Sequence, residues 1–488
     1  MSSAQINADK PRICWGVRRG RRLICGEPVT DEAVIEEVLE LVEELKRRIE
    51  RHRDNLGTAA FIDELIDLLE RWLEEHRNDK GRRVREARKI ARKMIKLLRK
   101  LKKKWVEVYW RQFMELMGLL ERNAIDIVVT GKGNEKSLVV HIYSTDVTVK
   151  VTRVAKNGGI TIFLTLSELK GDDVRVSNTF SDEELLKAIQ RGWEMTDGGI
   201  MNGHPAMGTN QPWQVILWSL CYPGKIHVLI YGININENDV SVKWYLVAKD
   251  HEARSKEEAA KEVKNFDEER IKAFLAPAVW GDGEVNVGER YVRLIIGLAK
   301  YELWLGIIER LINELGFTMK IRDYKAEVAV NSSKAIKLVR DWLSMPDIRE
   351  LIELGASLPG GEKLRRVIEM ASKEVEELGS SSIVIPGTNI SMSIDVKGDC
   401  RVELRTHRKD KNEALKLVEE LRKAGYKPSM YVSRGNYIIS ITHANVRDSP
   451  LREPVCQKLG EWLEDEKDER RKERIAKAMQ NLKCFDEA

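Results

Sequence analysis

Residues 270–285 read Arg-Ile-Lys-Ala-Phe-Leu-Ala-Pro-Ala-Val-Trp-Gly-Asp-Gly-Glu-Val. From Ala273 to Trp280 the stretch is small and apolar and carries no charge. It stops at Gly281, offers one carboxylate at Asp282, and turns at Gly283 into the β-type run from Val285 to Val287. An uncharged helix of small residues can lie against another helix with the two backbones close, because the distance between packed helices is set by the side chains at the contact. A carboxylate just past the end of such a helix would sit beside whatever its partner presents at the same level.

A partner is present in the same chain. Residues 188–200 read Ala-Ile-Gln-Arg-Gly-Trp-Glu-Met-Thr-Asp-Gly-Gly-Ile, and an ungapped overlay on residues 273–285 pairs Asp197 with Asp282 and Gly198 with Gly283. Two helices ending in Asp-Gly suggest a duplicated unit. The bland alternative is two ordinary helix stops, since glycine takes the left-handed conformation without penalty. Leu275, Ala276, Val279, Gly281, Asp282 and Gly283 resemble the motif of the LAGLIDADG homing endonucleases. The resemblance implies two such helices packed at a pseudo-twofold axis, their terminal carboxylates holding divalent metal over a DNA backbone. Asp282 in the second copy and Asp197 in the first then fall on the catalytic, metal-binding positions, with Mg²⁺ as cofactor if the chain is catalytic, and double-stranded DNA as partner. Glu284 is an auxiliary acid in that reading. Pro277 and Trp280 depart from the motif, as do Gln190, Arg191 and Glu194 in the first copy, where the motif is apolar. From Ser181 onward, blocks such as Gly-His-Pro-Ala-Met and Arg-Asp-Ser-Pro-Leu-Arg also resemble the multicopy PaREP-type families of hyperthermophilic archaea, a likeness that supplies no activity.

Bulk properties narrow the setting. The 488 residues suffice for roughly three domains. The net charge is only +5, so any nucleic-acid surface must be local. One third of the residues are charged while glutamine is scarce, which fits a thermophile relying on ion-pair networks. No uncharged apolar run of about 20 residues suggests a membrane span, and no signal-peptide core is seen, so the expected compartment is the cytoplasm. Six cysteines include no Cys-x-x-Cys pair, against a zinc ribbon or redox motif. Cys14 and Cys25 bracket a Val-Arg-Arg-Gly-Arg-Arg tip and can face each other in a small hairpin, where a disulfide would suit a hyperthermophile.

Three helices are expected after the hairpin. Ile35, Val38, Val42, Leu45, Ile49 and His52 recur at three- and four-residue steps, Ile62, Leu65, Leu69 and Trp72 mark a second helix, and Val84 to Val108 hold a coiled-coil pattern over more than three heptads. The first has eight acids and three bases over residues 31–50, whereas residues 82–104 have thirteen bases and one acid. Antiparallel packing of first against third would neutralise part of this. Arg88, Arg92, Lys96, Arg99 and Lys103 would then form an outer basic stripe able to meet phosphates. The alternatives are a solvated, internally balanced face and an arm for self-association.

From Ile125 the period becomes two, and β-branched runs separated by turn chemistry predict an antiparallel meander over 124–180. Residues 201–213 read as a polar loop containing His204, a weak candidate for chemistry. The strand around Lys243 alternates a buried and a cationic face. The order strand, helix, two strands occurs over 290–330 and again over 401–442. The solvent sides of these strands carry Lys243, Lys320, Arg322, Arg401, Arg405 and His407, the residues expected to contact DNA through a β surface. Polar outward faces are also what any one-sided sheet shows.

The expected fold is therefore α+β: a basic hairpin-like segment (1–28), a helical bundle or coiled coil (29–123), the meander (124–180), a duplicated LAGLIDADG-like αββαββ core with antiparallel sheets (181–345), a helical connector (346–380), a β-α-β-β unit (381–445) and a charged helical tail (446–488). Walker-type loops, nucleophile elbows and paired-His zinc signatures are absent from the sequence. Three function classes stay open: a Mg²⁺-dependent DNA endonuclease, a non-catalytic DNA-binding protein that kept the fold, and a helical interaction protein.

Overall fold

The computed structural model describes residues 11–19, 22–131, 138–153, 159–322, 324–373, 381–388, 390–433, 435–466 and 468–484. The expected turns over 132–137 and 154–158, the hairpin tip at 20–21, the first ten residues and the end of the connector at 374–380 lie outside these. The chain divides into two units, residues 1–373 and 374–488. It is mixed α+β, and its sheets are antiparallel except for one parallel pair.

In the first unit, strands Arg12–Arg19 and Arg22–Pro28 form the basic hairpin, closed by a Cys14–Cys25 disulfide. Arg12–Arg19 also pairs, in parallel, with Asp126–Thr130, the first strand of the meander. The meander continues through Val139–Tyr143, Val147–Arg153 and Ile160–Leu166. It does not end there. Ile160–Leu166 pairs with Gly224–Ile235, so the meander and the strands that follow the first Asp-Gly make one eleven-stranded sheet. The junction needs Gly232, because a Cβ built there would lie 2.1 Å from the Leu164 carbonyl oxygen.

The helices before the meander do not build a coiled coil. Glu32–Arg51 packs against the strand Val147–Arg153, where Arg153 meets Glu37 at 3.6 Å and Glu40 at 2.7 Å. Arg82–Lys104 meets acids other than those of the first helix: on Ala60–Glu75, Arg99 pairs with Glu70 at 2.5 Å and Lys102 with Asp63 at 2.7 Å, and further along the chain Lys93 and Lys96 meet Asp172 and Arg83 meets Asp347. Its apolar stripe, including Ala87, Ile90, Met94, Leu98 and Leu101, is wholly buried inside the chain and is spent on this unit's own core. The heptad pattern was a record of burial on one face, which a bundle on a sheet also requires.

Two consecutive stretches of this unit share an element order. The first runs helix Glu183–Met195, strands Gly198–Met201 and His204–Thr209, helix Pro212–Cys221, strands Gly224–Ile235 and Val240–Ala248, helix Lys256–Val263. The second runs helix Glu268–Asp282, strands Gly283–Asn286 and Tyr291–Gly297, helix Tyr301–Leu315, strands Thr318–Arg322 and Lys325–Asn331, helix Ser332–Ser344. In both, the strands lie in the spatial order first, second, fourth, third. The predicted polar loop over 201–213 is largely strand and helix start, with Pro212 in the first helical turn, where its missing N–H costs nothing. Helices Pro346–Ser357 and Glu362–Ser372 follow, joined through Gly360 at φ +79°.

The second unit is a five-stranded antiparallel sheet in the order Ser382–Val384, Ser391–Val396, Val402–Arg408, Asn436–Ile441, Ser429–Ser433. Helices Lys411–Lys423, Arg452–Asp465 and Glu469–Asn481 supply Leu421, Val455, Leu459, Ile475 and Met479 to its core. A Cys456–Cys484 disulfide ties the last two helices together.

Candidate functional site

The helices Glu183–Met195 and Glu268–Asp282 pack directly on one another. Their approach is close enough that a Cβ on Gly192 would lie 2.3 Å from the Phe274 carbonyl oxygen and 2.5 Å from Pro277 Cγ. The Trp193 and Trp280 rings meet edge-on at 6.2 Å. Each helix is started by an aspartate that accepts from backbone N–H groups, Asp182 in the first and Asp267 in the second.

At the other end each helix leads into a strand, the first after Thr196 and Asp197 and the second at once after Asp282. Thr196 Oγ1 donates to the Gly192 carbonyl, and the glycine after each aspartate is required by crowding instead of by a left-handed cap. A Cβ on Gly198 would lie 2.7 Å from Glu194 Cα, and one on Gly283, whose φ is −117°, would lie 2.6 Å from the Arg293 carbonyl oxygen. The two ends are neighbours. A Cβ on Gly281 would fall 3.0 Å from Asp197 Oδ2, and the charge of Asp197 acts on Asp282.

The buried polar residues of the first helix, Gln190, Arg191 and Glu194, find their partners on its flank or within its own turn. Arg191 pairs with Glu194 at 2.5 Å and with Glu262 at 2.7 Å, and Gln190 donates to the Cys221 carbonyl. Burial pushes the Glu194 carboxyl up, against the opposing pull of Arg191.

Asp197 opens into a cleft of about 430 Å³ that is also lined by Gln214, Lys243, Trp280, Lys363 and Arg366. Gln214 Nε2 donates to Asp197 Oδ2 at 3.2 Å and is itself fixed by the Thr209 hydroxyl. Lysines surround the aspartate pair. Lys256 Nζ donates to the Thr196 carbonyl at 2.9 Å, at the end of the first helix, and Lys363 Nζ donates to the Trp280 and Gly283 carbonyls at 2.8 and 2.9 Å, at the end of the second. Cations at helix C-termini meet the carbonyls that have no partner within the helix. Burial lowers Lys256 to about 8, with Lys300 pushing the same way and the two aspartates opposing. Burial also lowers Lys363 and Lys243, again against the aspartates. Asp282 is raised by burial and then by Asp197, while Lys300, Lys256 and Lys363 pull it down.

The donor set falls short of a self-standing site for a dication. The expected ligands are two carboxylates, one with an oxygen engaged by Gln214, and among the described residues no group of three or more His, Cys, Asp or Glu could hold a metal ion. Magnesium prefers six oxygen ligands, and four ammonium groups act on this pair. Those lysines oppose a second positive charge and favour an anion.

The other expected residues are spread out. Glu284 is held by Arg293, and His204 Nδ1 lies 2.8 Å from the His251 carbonyl oxygen, so neither is free to act at the cleft. Lys320 and Arg322 are exposed on the edge strand Thr318–Arg322. Arg401, Arg405 and His407 belong to the second unit, where Arg401 pairs with Asp399 and Arg405 with Asp395 and Glu403. Arg88 is consumed at the end of Ala60–Glu75, donating to the His76 and Asp79 carbonyls. Arg92, Lys96, Arg99 and Lys103 line a groove of about 520 Å³, where Lys96 already meets Asp172 at 2.9 Å and Arg99 meets Glu70 at 2.5 Å. Sequence reading missed Gln214, Lys256, Lys300 and Lys363, which are separated along the chain and carry no motif. A scan against protein-family models and a search of curated proteins found no match to this chain.

Proposed function

We propose that this chain is a DNA-binding protein with a duplicated core of LAGLIDADG homing-endonuclease ancestry, whose lysine-ringed cleft seats a backbone phosphate. The observation that carries this reading is the shared element order and strand order of residues 183–263 and 268–344, joined through leading helices that each deliver one aspartate to a common point. The exposed Lys320 and Arg322 on the second sheet and the basic groove on Arg82–Lys104 supply further cations for phosphate contact.

Binding without cutting is favoured over Mg²⁺-dependent hydrolysis because the charges converging on the aspartates are already cationic. Fluorescence anisotropy with duplexes of about 30 bp tests both. The expected affinity falls steeply with salt, with a slope that shrinks by roughly one for each phosphate-contacting lysine or arginine replaced. Flat behaviour from low to high salt leaves only the helical interaction protein. Cleavage that requires Mg²⁺ and is lost in Asp282→Asn, with binding retained, establishes the endonuclease instead.

A further inference from the structure

The two aspartates sit where the resemblance expects a dissociable metal, yet a side chain from outside both like-ordered segments has been brought to them. Lys363 lies on Glu362–Ser372, after the second segment has ended. The turn before it is demanding: Gly360 has φ +79°, and a Cβ on Gly361 would lie 2.0 Å from the Gly355 carbonyl oxygen. Leu364, next in sequence, is fully buried, so the start of this helix is fixed by packing. From that anchor Lys363 reaches four carbonyls at the end of the second central helix, those of Val279, Trp280, Gly281 and Gly283, at 2.8 to 3.5 Å. A lysine with three donors among four carbonyls is a seated cation, unlike a solvated surface side chain.

We infer that Lys363, seated on the carbonyls either side of Asp282 and lining the cleft into which Asp197 opens, is a tethered cation that keeps a divalent metal ion away from the Asp197–Asp282 pair. An ammonium held on the carbonyls that flank Asp282, in the cleft that Asp197 lines, repels a dication from the same volume. Lys243 lines the same cleft but donates to the Gly208 carbonyl, on the strand side, and serves as the internal comparison. The cleft then carries a cation of its own and needs no metal to hold an anion. This inference rests on the reading of the aspartate pair as the functional site, though not on DNA being the ligand.

The full-length protein without DNA provides the test, with Mn²⁺ as the probe followed by electron paramagnetic resonance and by thermal melting in MnCl₂. The wild type is expected to show no saturable Mn²⁺ site below about 1 mM, the weak extreme of protein sites for oxygen-bound dications, and no Mn²⁺-dependent rise in Tm. Lys363→Met is expected to gain one Mn²⁺ site with at least a tenfold increase in affinity, abolished by adding Asp282→Asn, whereas Lys243→Met gains none. Saturable Mn²⁺ binding by the wild type that disappears in Asp282→Asn overturns the inference, and this arm needs no lysine variant to fold. An unchanged Mn²⁺ response in folded Lys363→Met, or an equal gain in Lys243→Met, overturns it as well. Failure of DNA binding would leave all these outcomes readable.

Discussion

The two central helices reach the same geometry by different means. Glu268–Asp282 carries no charge from Ala273 to Gly281, and Ala273, Phe274, Leu275, Ala276, Ala278, Val279 and Trp280 are all fully buried. Glu183–Met195 buries Gln190, Arg191 and Glu194 as well, and every one of them finds a polar partner on the flanking helices or within its own turn. A buried polar group is tolerated when its hydrogen bonds are made, so only the contact face has to stay small. The difference teaches that a helix pair of this kind is specified by Gly192 and the residues opposite it, and that the remaining positions can drift toward charge as long as the flank answers.

The comparison can be broken first at the flank of the first helix. Arg191→Met strands Glu194 without its buried partner and is expected to cost about 3–5 kcal/mol in chemical denaturation, the usual penalty for halving a buried ion pair. The nearest counterpart in the second helix, Lys272 with Asp341 at 2.9 Å, is more exposed, and Lys272→Met is expected to cost less. The contact face is next. Gly192→Val drives a side chain into the Phe274 carbonyl and is expected to cost about 2–3 kcal/mol. Gly199→Ala, where a Cβ meets nothing nearer than 3.9 Å, should stay within about 0.5 kcal/mol.

An effect smaller than that of Arg191→Met or Gly192→Val is read by pH. Lys256, which closes the end of the first helix, titrates near 8 in the folded protein, against an ordinary lysine value of 10.5. Between these values the unfolded chain binds the extra proton, so stability from this group rises with pH across that window. Comparing wild type with Lys256→Met from pH 7.5 to 10.5 should reveal a difference that narrows the wild type's deficit by about 1 kcal/mol, after discounting for solvent screening of a half-exposed group.

Much of this architecture was legible in the sequence, and the reasons for the rest are physical. The Asp-Gly overlay located both helix ends because small residues and a terminal carboxylate are local features. The strands of the meander were legible from their period of two, but their continuation into Gly224–Ile235 was not, since the pairing of Ile162 with Ile235 depends on chain path and on Gly232. The heptads over 84–108 misled because a stripe that faces a partner helix and one that faces a sheet and two helices look alike in one dimension. Lys256, Lys300 and Lys363 are three surface-type residues in three separate helical regions, and only folding brings their charges to one pair of acids.

The hairpin at the start of the eleven-stranded sheet carries a consequence for handling the protein. Among the described residues its outer strand, Arg22–Pro28, is paired on one side only, a margin that would welcome a strand from another molecule. Cys14–Cys25 fastens that margin to its neighbour, which carries the exposed Arg18 and Arg19. Thiol reagents therefore act on solubility before they act on the distant cleft: reduced protein should self-associate through a peeled border, while oxidised protein stays dispersed.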